Sequence, residues 1–384
     1  MMSDRPDARP ARPYFSSGPC AKPPGWGPEH LALGSLGRSH RSKVGKARLV
    51  HALELTRKVL RVPATHRIGI VPASDTGAVE MALWSLLGPR PVTVLAWESF
   101  GEGWVTDVAT QLKLDPTVIG APYGELPDLA QVDPASDVIF TWNGTTSGFR
   151  VPDGDWIASD REGLTIADAT SAVFAQHIPW DKIDVGTFSW QKVLGGEGGH
   201  GVLILGPRAV ERLESHTPAW PLPKIFRMTS GGKLNEGLFK GETINTPSML
   251  AVEDYIFALE WAQGLGGLSA LIARADANAA ALDDWVQATP WVEHLAADPA
   301  SRSNTSVCLK FATDAVRGLD GEGQAALVKE MALLLETEGA AFDVASYRDA
   351  PPGLRIWCGA TVETDDIVAL GPWLDWAFHE ARSA

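Results

Sequence analysis

The chain has 384 residues, enough for one large domain and a smaller companion, and its 47 acidic against 33 basic residues give a formal charge of -14. That excess argues against a partner built on a phosphate backbone, so nucleic acid is set aside as a ligand. Three widely spaced cysteines, Cys20, Cys308 and Cys358, form neither a CxxC pair nor a dense framework, so disulfides and structural zinc are poorly supported, no metal is expected, and a reducing cytoplasm fits best. Residues 1–14 carry arginines and prolines without an apolar core and read as a mobile arm, and no run is long enough to span a bilayer, so no membrane is expected.

In chain order, RLVHALELTRKVL (48–60) has helical period, and RIGIVPASDTGAVEMALWSLLG then reads as a strand at 68–71, a tight polar turn, and a helix from near Gly77. Apolar strands follow at 92–97, 137–142, 164–168, 185–190 and 201–205, with helical or turn-rich segments between several of them. The pattern predicts an α/β domain over 15–264 with a mainly parallel sheet flanked by helices. After residue 265 come an alanine-rich helix (268–288), a strand SVCLKF, a helix (325–339), strands near AFDVA and LRIWC, and a last helix from Thr364. That texture predicts a smaller α+β domain over 265–384.

Ligands of open α/β sheets sit outside the carboxyl ends of the strands, so the residues there carry the chemistry. The first strand leads to Ser74-Asp75-Thr76-Gly77 at a helix start, which reads alone as an ordinary N-cap and in company as a phosphate cradle. ESFGEGW leaves Trp104 as an aromatic plate, NGTTSG offers hydroxyls including Thr145, LTIAD ends in Asp168 followed by Thr170, and VGTFSW delivers Gln191 and Lys192 before the glycine tract GGEGGHG. A lysine for a Schiff base, a carboxylate for a pyridine nitrogen, an aromatic stack and a phosphate cradle are together what pyridoxal phosphate requires. Lys192 is the natural base for the substrate Cα proton. The glycines after it are expected to let the backbone pass close to a flat cofactor and to let the lysine swing.

At these residues the chain resembles the phosphoserine aminotransferase family, in the class V group of fold-type I pyridoxal-phosphate enzymes (aspartate-aminotransferase-like). The resemblance runs from FSSGPCAKPPGW through LGRSHRSKVGK, the segment 168–205 and INTPS to GLRIWCGAT, with SHRSK and SWQK the most specific parts. It implies that Lys192 forms the Schiff base, Asp168 pairs with the ring nitrogen, Trp104 stacks on the ring, and Thr145 bonds the phenolic oxygen. Ser74, Asp75, Thr76, Thr170 and Gln191 would line the cofactor phosphate, joined by Asn245 and Thr246 from across a homodimer interface. His40 and Arg41 would hold the substrate phosphate and Arg355 the α-carboxylate, with Arg348 standing where the family has a second histidine. The implied reaction is transamination between O-phosphoserine with 2-oxoglutarate and 3-phosphohydroxypyruvate with glutamate, in serine synthesis, with a related activity toward pyridoxine.

A serine- or alanine-glyoxylate-type aminotransferase would share Lys192 and Asp168 but need no substrate-phosphate site. Cysteine desulfurase chemistry would need a nucleophilic cysteine on a mobile loop, whereas Cys308 sits in a strand-like run. A non-enzymatic descendant would be expected to have lost Lys192 or Asp168, and both are present.

Overall fold

A seven-stranded sheet forms the centre of the computed structural model, which describes residues 5–383. Helix α1 (Lys43–Leu60) is N-capped by Ser42, whose Oγ accepts from the Gly45 N–H at 3.2 Å. There follow β1 (Arg67–Pro72), α2 (Ser74–Leu86), β2 (Val92–Ala96), α3 (Ser99–Thr106), β3 (Thr117–Gly120), β4 (Asp137–Thr141), β5 (Thr165–Asp168), β6 (Val185–Ser189), β7 (His200–Leu205) and α4 (Pro207–Ser215). A short hairpin, β8 (Thr229–Ser230) and β9 (Lys233–Leu234), precedes two long helices, α5 (Met249–Leu265) and α6 (Leu268–Ala288). The remainder is β10 (Val292–His294), β11 (Ser306–Phe311), α7 (Asp314–Arg317), α8 (Gly321–Thr337), β12 (Leu354–Trp357) and α9 (Thr364–Ser383).

The large sheet has the order β1-β7-β6-β5-β4-β2-β3, and only β7 runs antiparallel to its neighbours. Every residue of β2, β4, β5, β6 and β7 is buried, as expected of strands covered by helices on both faces, which is why they read as continuous apolar runs rather than alternating ones. The parallel strands β2, β4, β5 and β6 therefore all deliver their carboxyl ends to one edge of the sheet. Beyond it, β10, β11 and β12 make a small antiparallel sheet backed by aromatic packing in which Trp291 stacks on Phe378 at 4.2 Å.

Three expectations are corrected. Residues 5–13 do not form a mobile arm, and residues 1–4 lie outside the described chain. Ala8 O accepts from the Trp373 indole at 2.7 Å, the Asp366 carboxylate accepts from the Ala11 N–H at 2.6 Å, and Arg9 pairs with Glu338 at 3.0 Å. The strap continues as Pro13 O accepts from Phe342 N and Phe15 O from Trp357 N, and it ends on Phe15, which is fully buried. Full burial of a side chain of that size stabilises by about 1.5–3 kcal/mol. AFDVA is not a strand; Phe342 and Ala345 each make an isolated bridge, to Tyr14 and Leu354. Finally, α2 begins at Ser74 rather than near Gly77, because Ala73 and Ser74 turn the chain with φ of 66° and 55°.

Candidate active site

Nine side chains named from the sequence, Ser74, Asp75, Thr76, Trp104, Thr145, Asp168, Thr170, Gln191 and Lys192, line one cavity of about 170 Å³ at the carboxyl ends of the parallel strands. Lys192 is 8% exposed and donates from Nζ to the Ser17 carbonyl. Burial pushes its ammonium below the ordinary range, and the nearby charge of Arg355 adds to this against the pull of Asp168 and Glu98, so the neutral amine is easier to reach. Asp168 leaves β5 into a turn in which its Oδ1 accepts from the Thr170 N–H at 3.1 Å.

The first turn of α2 presents the amide groups of Ser74, Asp75 and Thr76, which have no intrahelical partner by their position. Two successive left-handed residues without glycine are unusual, and they aim this helix start at the cavity. On the facing side, the Thr145 hydroxyl donates to Ser171 Oγ at 2.9 Å, and Ser171 donates in turn to Asn143 O at 2.8 Å.

Glu98 was not anticipated from the sequence. Its Oε1 accepts from the N–H groups of Phe100 and Gly101 at 2.8 and 3.0 Å, capping α3, while Oε2 accepts from the Thr146 hydroxyl at 2.7 Å. One buried carboxyl thus ties the helix carrying Trp104 to the turn carrying Thr145. Burial raises its pKa, opposed by these hydrogen bonds. The signal was a carboxylate immediately before SFGEGW at a strand end, masked because N-caps are more often Ser, Thr, Asp or Asn.

The glycine tract works differently from the expectation. A Cβ on Gly195, where φ is 62°, would lie 2.0 Å from the Ala21 carbonyl, and one on Gly196 would lie 2.7 Å from the Trp190 ring. The glycines let the chain behind Lys192 pack against the N-terminal segment and Trp190.

The remaining named residues lie elsewhere. Arg355 stands on β12 with its guanidinium 5.7 Å from the Tyr347 ring centroid, an unpartnered buried Nε, and a charge that reaches Lys192. Arg348 reaches the same ring at 5.7 Å, but its side chain is 81% exposed and paired with Asp349 at 3.1 Å. Arg41, Asn245 and Thr246 are exposed, and His40 is half-buried with an unpartnered Nε2. The segments that carry Arg41 and Asn245 come near each other: Lys46 pairs with Glu242 at 2.8 Å, and that glutamate also feels Arg41.

The cavity fits pyridoxal phosphate on its unpaired groups as well as on its lining. Asp75 Oδ1, Trp104 Nε1, Thr141 Oγ1 and Thr170 Oγ1 are buried there without hydrogen-bond partners, polar atoms that await a polar ligand. Cys20 and Cys308 are buried, and burial pushes both thiols up to about 12, so neither supplies the thiolate a desulfurase needs.

No family model matches the chain. It is 57% identical to phosphoserine aminotransferase of Methanosarcina barkeri over 376 residues, 98% of this chain and 99% of that protein. Among solved structures, phosphoserine aminotransferase of Cytophaga hutchinsonii superposes with a TM-score of 0.80 at 20% identity, covering 94% of this chain and 98% of that one. Alanine-glyoxylate aminotransferase of Nostoc sp. shares the fold at a TM-score of 0.77 and 19% identity, covering 97% of each chain. Fold and cavity together define a pyridoxal-phosphate-dependent aminotransferase of fold type I. Within that class, the chain belongs to the phosphoserine aminotransferase family.

Proposed function

We propose that the chain transfers an amino group reversibly between O-phosphoserine and 2-oxoglutarate, giving 3-phosphohydroxypyruvate and glutamate. The observation that carries this reading is the buried amine of Lys192 sharing one cavity with Asp168 and Trp104 beside a helix start. Bound pyridoxal phosphate supplies an electron sink for the pair left when the substrate Cα–H bond breaks. Asp168 would hold the ring nitrogen protonated, with Trp104 packing against the ring. The first turn of α2, with Thr170 and Gln191, would hold the phosphate through amides, a hydroxyl and the helix dipole. Lys192 Nζ would take the Cα proton and hold it for return, a task served by its burial and lowered pKa.

Arg355 fits a substrate α-carboxylate, since its charge reaches Lys192 and its buried Nε is unpartnered. His40 and Arg41 are assigned to the substrate phosphate, with their segment and that of Asn245 and Thr246 docking over the site of a second copy in a homodimer. That arrangement explains why phosphate-binding groups stand outside the cavity of their own chain. Arg348 is kept as a contributor only through movement of the YRDAPPGLR turn. A reducing cytoplasm suits the three buried free thiols.

The test is a titration of the purified holoenzyme, following visible absorption, with O-phosphoserine, serine and alanine. Conversion by phosphoserine alone is expected. Equal conversion by serine or alanine would move the assignment to the glyoxylate-type enzymes.

A further inference from the structure

Asp75 was assigned from the sequence to the cofactor phosphate; its amide can serve there, while its carboxyl has other neighbours. Its side chain is 7% exposed, lines the cofactor cavity, and is directed toward the carboxyl of Asp168 and the hydroxyls of Thr170 and Thr187. Its Oδ1 has no partner. Two neighbouring carboxyls, both buried and lining one cavity, do not both ionise without a large penalty, and a phosphate at the start of α2 would add further negative charge nearby.

The groups around the pair decide which one is charged. Asp168, on β5, gains the ring nitrogen as a cationic partner and feels Lys192 from the turn after β6. Asp75, on α2, faces Asp168 as its charged neighbour. Glu98, at the end of β2, is engaged by α3 and Thr146. His200, at the start of β7, accepts from the Ser248 N–H and is held neutral by burial. Burial, followed by the charge of Asp168, accordingly pushes the Asp75 carboxyl well above the usual range.

We propose that Asp75 is a positioning residue that works as an un-ionised carboxylic acid, its O–H donating to Asp168 so that this carboxylate stays aligned on the ring nitrogen without a second charge entering the cavity. The proton is held between two oxygens and is not consumed in the reaction. Asparagine reproduces the donor and the neutrality; alanine reproduces the neutrality alone. The inference rests on the pyridoxal-phosphate reading of the cavity.

The experiment uses holoenzyme of the wild type, Asp75→Asn and Asp75→Ala, and reads two quantities. The first is the Kd for pyridoxal phosphate, followed by quenching of tryptophan fluorescence. The second is the pH midpoint of the visible band of the bound cofactor, which responds to protonation of the ring nitrogen. Asp75→Asn is expected to keep Kd within about threefold and the midpoint in place, whereas Asp75→Ala weakens binding by about tenfold and moves the midpoint. An Asn variant as impaired as the Ala variant would mean that an ionised carboxylate is required, and would overturn the proposal. So would a midpoint displaced equally in both variants, or an Ala variant indistinguishable from wild type. Wild-type protein that binds no pyridoxal phosphate would instead sink the underlying cofactor reading.

Discussion

The cofactor cavity and the exposed face that carries Arg41 are built on opposite principles. Around Lys192, each functional group leaves the end of a buried strand or the first turn of a helix, and its position is fixed by elements that pack on both sides. Around Arg41, the groups stand in the loop that leads into α1 and in the stretch before α5, mostly solvated, with surface ion pairs such as Lys46 with Glu242 nearby. Such exposed pairs contribute about 0–1 kcal/mol each. The cofactor-side groups are thus fixed by packing within the chain, whereas Arg41 stands in solvent.

Lys192→Ala is the strongest way to test the first half of that contrast, with turnover expected to fall by at least about a thousandfold while the fold and pyridoxal-phosphate binding persist. Loss of the fold in this variant, read by circular dichroism, would mean that the buried amine is structural. Arg41→Ala comes next. It should raise KM for phosphoserine by about 10–100-fold and leave KM for glutamate within a few-fold, the signature of a lost phosphate contact. Mixing Lys192→Ala and Arg41→Ala subunits should then restore activity, because one site of each hybrid has both groups; no recovery would place Arg41 in the site of its own chain.

Glu98→Ala is a smaller effect, removing the α3 cap and the Thr146 clamp together. We expect a loss of stability on the order of 2 kcal/mol, measured by denaturant unfolding. A change within the noise would show that Trp104 and Thr145 are positioned independently. The smallest effect concerns the protein without cofactor. Because the folded pKa of Asp75 lies above the unfolded 3.8, its contribution to stability is fully present below that value and is lost as pH rises through the folded pKa. Asp75→Asn should therefore gain on the wild type as pH rises from about 4 toward neutrality; a stability difference independent of pH would contradict it.

The parts that could be read in the sequence and the parts that could not divide along the same line. Strands such as 137–142 and 185–190 announce themselves because burial on both faces demands continuous apolar residues, and the residues at their ends follow with them. β3 went unread because it lies at the sheet edge with three of its four residues exposed, and β10 because it has only three residues. Asp75 lines the cavity expected of it, but the way α2 starts there could not be read, because it depends on two non-glycine residues with positive φ that no composition rule anticipates. The N-terminal strap was misread for a similar reason. Its anchors are backbone groups, carboxylates and the Trp373 indole, spread across the far end of the described chain, and they leave no local pattern.

That strap has a consequence for how the protein folds. Its residues precede nearly all of the described chain, yet Ala8 and Ala11 are secured by Trp373 and Asp366 of α9. Two residues beyond its end, the Ser17 carbonyl meets the amine of Lys192. Contacts that distant in sequence form late. The segment that meets Lys192 is therefore secured only once α9 is in place, which couples the wall of the pocket to an element that begins only at Thr364.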